Sequence, residues 1–220
     1  MGHPVSIGTP TGRISGWRCD PPIQPHGAII VVQEIFGVNG HIRHLVDRFA
    51  HHGFIAIAPA FFDHIAPHIE LAYDEDGVAR GRELVGQLGF ERCLGDINSL
   101  QRELSSEAAV GVVGYCWGGT LAYLANTRFA APAVSYYGAR SMPFIRERLQ
   151  APMEFHFGSE DPLISAEDIQ QHRDNHPDAR IYTYPAGHGF NCDERADYDP
   201  NSAREAMDRT INFFTRVLRS

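Results

Sequence analysis

The chain has 220 residues, a length at which one core can bury roughly 70% of the surface that an unfolded chain exposes, so a single domain over residues 1–220 is expected. An apolar content of 43%, with 21 glycines and 14 prolines spread along the chain, excludes disorder and fits a loop-rich globular protein. A net charge of −8 without any Lys/Arg block argues against a nucleic-acid or anionic-membrane partner and makes a small molecule the expected one.

Met1 to Thr11 has no apolar core behind a basic start, so no secretory leader is read there, and no later stretch stays apolar long enough to span a bilayer. Gly12 to Trp17, with Ile14 among polar neighbours, predicts an antiparallel edge strand. Gly27 to Val32 is a continuous apolar run of strand length, as are Phe54 to Ala58 and Ala109 to Val113, and such runs are usually buried on both faces. Between the first two, Ile42, Leu45, Val46 and Phe49 recur at helical spacing over His41 to His52 before Gly53 stops the turn. Helical patterns also fill Phe90 to Leu104 and Gly118 to Arg128, with shorter strands at Ala133–Tyr136, Met153–Phe157 and Ile181–Tyr184. Ser165 with Asp168 reads as a capping box, and Ser202 with Glu205 as the opening of a last helix whose Met207, Ile211, Phe214 and Leu218 form one apolar stripe. The alternation predicts an α/β fold with a mostly parallel sheet and helices on both faces.

At the end of one buried strand stands Gly114-Tyr115-Cys116-Trp117-Gly118-Gly119, a G-x-C-x-G-G pattern at a strand-to-helix junction. A turn this sharp strains its central residue and needs glycines where a Cβ would collide with the neighbouring strand or helix. It lifts a thiol clear of the sheet, and the unpaired N–H groups of the following helix favour the thiolate and an oxyanion, with the Trp117 amide the first donor. The bland alternative is a small buried cysteine in a glycine-rich strand end. Downstream, Asp161 precedes Pro162 after a strand, with Glu160 as a rival acid, and His188 lies between two glycines after the last strand. The order nucleophile, acid, histidine, all beyond the carboxyl ends of parallel strands, predicts a Cys116-His188-Asp161 triad that hydrolyses a small ester or lactone.

Two other readings compete. Twelve histidines are many for this length, and His41-x-x-His44, His51-His52 and His64 with His68 offer ligands, but none has a spacing typical of zinc, so no metal is expected. A non-hydrolytic protein could instead use the Cys116 thiolate to sense oxidants or bind electrophiles. The four cysteines, Cys19, Cys93, Cys116 and Cys192, fall outside any C-x-x-C pattern, as expected for thiols in a reducing compartment, and a cytoplasmic monomer or homodimer is the expectation.

Gln33-Glu-Ile-Phe-Gly37, Gly114-Tyr-Cys-Trp-Gly-Gly119, Ser135-Tyr-Tyr-Gly138, Gly158-Ser-Glu-Asp161 and Ala186-Gly-His-Gly189 together resemble the dienelactone hydrolase (carboxymethylenebutenolidase) family of α/β-hydrolases along nearly the whole chain. The resemblance implies an α/β-hydrolase fold, a thioester acyl-enzyme, and hydrolysis of an enol-lactone carboxylate without metal or cofactor. It further implies that Glu34 contacts the resting thiol, that the Ile35 amide joins Trp117 as oxyanion donor, and that Tyr137 and Phe36 belong to the substrate pocket. Arg80 and Arg82 stand as candidates for binding the substrate carboxylate. The chain departs from the family pattern at Cys192, four residues after His188, where the family has an arginine; the nearest basic residue is Arg195.

Overall fold

The computed structural model describes residues 1–218. Its centre is an eight-stranded sheet with the order β1-β2-β4-β3-β5-β6-β7-β8. The strands are β1 (His3–Thr9), β2 (Gly12–Cys19), β3 (Ala28–Val32), β4 (Ile55–Pro59), β5 (Val110–Tyr115), β6 (Ala133–Tyr136), β7 (Met153–Gly158) and β8 (Arg180–Tyr184). β1 pairs antiparallel with β2 and β2 with β4, while β4, β3, β5, β6, β7 and β8 run parallel, the arrangement expected from continuous apolar runs.

The helices are α1 (Gly40–His51), α2 (Glu75–Leu104), α3 (Trp117–Phe129), α4 (Ala166–Asn175) and α5 (Pro200–Val217). They cover both faces of the sheet. A Cβ on Gly111 would meet Phe214 of α5 at 2.5 Å, and one on Gly114 would overlap the Gly118 carbonyl of α3. Residues three apart in a strand point to opposite faces, so α5 and α3 lie on opposite sides. Phe49 of α1 joins Phe214 edge to face, whereas Phe90 of α2 stacks on Trp117 and His172 of α4 meets Tyr123, which puts α2, α3 and α4 together. Between the layers lies one continuous apolar core that includes all of β3, Ile55 to Ala58 of β4 and α1's inward stripe.

Three expectations are corrected. Gly12–Cys19 is a strand but not the edge, because His3–Thr9 pairs outside it. The second helix begins at Glu75 rather than Phe90, capped by Asp74, and bends at Gly89, whose φ is 66°. The last helix begins at Pro200, with the Asp199 carboxylate accepting from the Ser202 amide at 2.7 Å, so Ser202 is inside the helix rather than its cap. The Ser165–Asp168 capping box is present in both directions.

Candidate active site

Cys116 sits between the end of β5 and the start of α3 with φ 54° and ψ −116°, a conformation rare for a residue with a side chain. The corner holds because its glycines make room for backbone. A Cβ on Gly118 would lie 2.6 Å from the Val32 carbonyl and closer still to that of Gln33. The Cys116 amide donates to the Tyr136 carbonyl at 3.0 Å, and its own carbonyl accepts from Gly119 at 2.9 Å, so the residue is fixed on both sides. Its thiol remains partly open to solvent.

The loops after β7 and β8 converge on this sulfur. His188 Nε2 lies 3.1 Å from Cys116 Sγ, and His188 Nδ1 lies 2.7 Å from Asp161 Oδ2. The Leu163 amide donates to the other Asp161 oxygen at 2.8 Å, which orients the carboxylate, while Glu160 points away into solvent. Burial alone would lower the His188 pKa, but the Cys116 charge first and the Asp161 hydrogen bond next outweigh it and raise it to about 10. The imidazole is therefore held toward its charged form beside the Cys116 sulfur. Among the described residues, the amides of Ile35 and Trp117 donate to no backbone or side-chain acceptor, so both are free for a ligand oxygen.

A cleft of about 500 Å³ opens over the sulfur. Ile35, Phe36, Trp117 and His188 line it, together with three guanidinium-bearing residues, Arg82, Arg140 and Arg195. A second cavity, of about 340 Å³, lies against Trp17, Phe62 and Glu70 and holds none of the reactive side chains.

The residues expected around the triad divide. Phe36 and Arg82 line the cleft. Arg80 does not: it is half exposed and paired with Glu83 at 2.5 Å, one helical turn along the outer face of α2. Tyr137 is fully buried behind His188, its ring 5.2 Å from the imidazole in a T-shaped contact, and its hydroxyl has no partner among the described residues. Glu34 is fully buried, but it faces Arg195 rather than the thiol, with Oε1 3.4 Å from Arg195 Nη1 and Oε2 without a partner among the described residues. The position beside the sulfur is taken instead by His188 Nε2.

Arg195 also lies over the Phe36 ring at 5.8 Å. Burial lowers its pKa, and the charge of Glu34, then of Tyr137 and Cys116, raises it further. A Cβ on Gly189 would lie 2.6 Å from the Arg195 guanidinium carbon, and Gly189 has φ 84°, so the glycine after His188 serves this packing as well as the turn. Arg140 was not foreseen; its position just beyond the carboxyl end of β6, where parallel-sheet sites collect their loops, is the signal that could have found it. Of the histidine pairs weighed as metal ligands, His64 is held by Asp96 at 2.6 Å, His51 and His52 stand edge to face, and His41 and His44 line one small cavity. No helix among the described residues is long and apolar enough to cross a membrane.

Comparison with known proteins agrees with this architecture. The model of the "Dienelactone hydrolase family" matches residues 14–218. The chain is 32% identical over 240 residues to a Synechocystis protein named "Putative carboxymethylenebutenolidase", covering 98% of this chain and 96% of that one. It is 30% identical over 225 residues to the carboxymethylenebutenolidase of Pseudomonas sp. strain P51, covering 97% and 94%. The crystal structure of a Klebsiella pneumoniae protein described as "Putative Dienelactone Hydrolase" superposes with a TM-score of 0.85 at 26% identity, covering 98% of each chain, and shares the α/β-hydrolase fold.

Proposed function

Because the chain belongs to the dienelactone hydrolase family and is a hydrolase of esters or lactones, we propose that it cleaves a small anionic ester or lactone with Cys116 as nucleophile, His188 as acid and base, and Asp161 as the group that orients the imidazole. The observation that carries this reading is the unbroken line from Asp161 Oδ2 to His188 to Cys116 Sγ, at 2.7 and 3.1 Å, on the floor of a cleft lined by three arginines.

Attack of the thiolate on the carbonyl carbon gives a tetrahedral oxyanion, which the free amides of Ile35 and Trp117 are placed to receive. The C–O bond breaks, the leaving oxygen takes the imidazolium proton, and a thioester remains. Neutral His188 then removes a proton from water as the water oxygen adds to the thioester carbonyl, the C–S bond breaks to regenerate the Cys116 thiolate beside the imidazolium, and the carboxylic acid is released. Asp161 fixes the Nδ1–H tautomer throughout, so that Nε2 always faces the reaction. Arg195 and Arg82 supply the positive charge for a substrate carboxylate, with Arg195 taking the place that the expected arginine at position 192 leaves empty. Glu34 holds Arg195 in the cleft instead of capping the thiol.

The test is a pre-steady-state assay with p-nitrophenyl acetate. A burst of one nitrophenolate per active chain followed by turnover, both absent in Cys116→Ala, is expected. A burst without turnover would favour an electrophile-binding protein, and turnover in Cys116→Ala would remove the cysteine from the reaction.

A further inference from the structure

Cys192, at the position where the family pattern has an arginine, is fully buried and takes no part in the chemistry above. Its sulfur, a ring nitrogen of His41 and a carboxylate oxygen of Asp193 all lie within 4.8 Å of one another. His41 is buried at the start of α1, its Nδ1 is 3.5 Å from Asp193 Oδ1, and its Nε2 has no partner among the described residues. A small cavity of about 130 Å³ reaches this cluster from solvent, lined by His41, His44, Asn191 and Asp193. Asn191, which lines that cavity and is only 3% exposed, leaves both of its side-chain polar atoms without a hydrogen bond to any described residue. A buried amide left unsatisfied on both atoms is costly unless something occupies the space beside it.

We propose that His41, Cys192 and Asp193 form a binding site for one borderline-soft divalent cation of the zinc class, with Asn191 facing the fourth position. A thiolate, an imidazole and a carboxylate are the donor set that such ions prefer, and hard ions such as magnesium take oxygen alone. In a tetrahedral site the donors stand roughly 3.5 Å apart, the separation that His41 Nδ1 and Asp193 Oδ1 already show, and the exposed Asp193 side chain is free to adjust. On binding, the Cys192 S–H bond breaks, its proton leaves to solvent, and the sulfur lone pair forms the metal bond, while His41 binds as the neutral ring. The spacing of His41 from Cys192 along the chain hides this cluster from any sequence motif.

Cadmium reports the site directly, because its bond to thiolate gives an ultraviolet charge-transfer band. The experiment uses the full chain carrying Cys116→Ala, which removes the catalytic thiol as a competitor. Titration is expected to give the band with one cadmium per chain, and Cys192→Ser in the same background to abolish it. Asp193→Asn, at an exposed side chain whose loss leaves folding intact, is expected to weaken cadmium at least about tenfold, since even groups behind the ligands typically carry 10–100-fold. No band in Cys116→Ala, a band that survives Cys192→Ser, or an affinity indifferent to Asp193→Asn overturns the proposal.

Discussion

The guanidinium of Arg195 and the carboxylate of Glu34 meet at 3.4 Å beneath the cleft, joining the loop after β8 to the loop after β3. Glu34 is buried and Arg195 mostly so, and removing one partner of such a pair leaves the other charge stranded. Arg195→Ala is expected to destabilise the fold by about 2 kcal/mol, below the range for fully buried pairs because the cleft admits water. Adding Glu34→Gln should restore much of that loss. Urea unfolding measures both, and steady-state assays should show a KM for anionic esters raised at least about tenfold while neutral aryl esters are little affected.

Cys116→Ala and His188→Ala are each expected to lower kcat on an aryl ester by about 10⁴-fold or more, and the double variant to be scarcely worse, because the two act as a unit. Asp161→Asn should cost about 10²–10⁴-fold through the wrong imidazole tautomer. The Cys116→Ala variant also removes the largest influence that raises the His188 pKa, so an NMR titration of that imidazole is expected to find its pKa below about 10.

Gly118→Ala places a methyl group 2.6 Å from the Val32 carbonyl, a backbone atom in the middle of the sheet that cannot rotate away. An expected loss of about 1–3 kcal/mol follows from overpacking, together with a displaced start of α3 and reduced kcat. Thermal unfolding and the p-nitrophenyl acetate burst amplitude read the two effects separately.

Two buried histidines set an acid limit on stability. His172 bonds Ser141 Oγ at 2.8 Å and His176 bonds the Tyr123 hydroxyl at 3.0 Å. Burial, and next the charge of His176, lower the His172 pKa to about 4, and burial lowers that of His176. An unfolded imidazole titrates near 6.5, so between these values the unfolded chain binds a proton that the folded chain refuses. Stability is complete above about pH 6.5 and is lost as the pH falls through about 4, with His172 contributing about 3 kcal/mol. Urea unfolding across that range should show the slope, and His172→Gln should flatten it.

The sheet and the reactive line were legible because each had a local cause: apolar runs for β3, β4 and β5, and glycines forced by the corner at Cys116. What stayed hidden had causes outside its own segment. β1 buries only Ile7 fully and reads as a polar stretch broken by Pro4 and Gly8. The first half of α2 carries Gly77, Gly81 and Gly86, which argue against a helix by propensity. Two of them are there because the helix passes against backbone, since a Cβ on Gly77 or Gly81 would overlap the Ala72 or Ile35 carbonyl. The Glu34–Arg195 pair joins two loops far apart in sequence, and no spacing rule connects them.

The left-handed backbone at Cys116 restricts which nucleophiles this corner could ever host. A threonine would bring a branched Cβ into a region of φ that such residues almost never enter, so its hydroxyl is barred on steric grounds before any question of reactivity arises. Serine, unbranched and of similar size, is the exchange that the corner tolerates, and the choice between sulfur and oxygen there is left to chemistry alone.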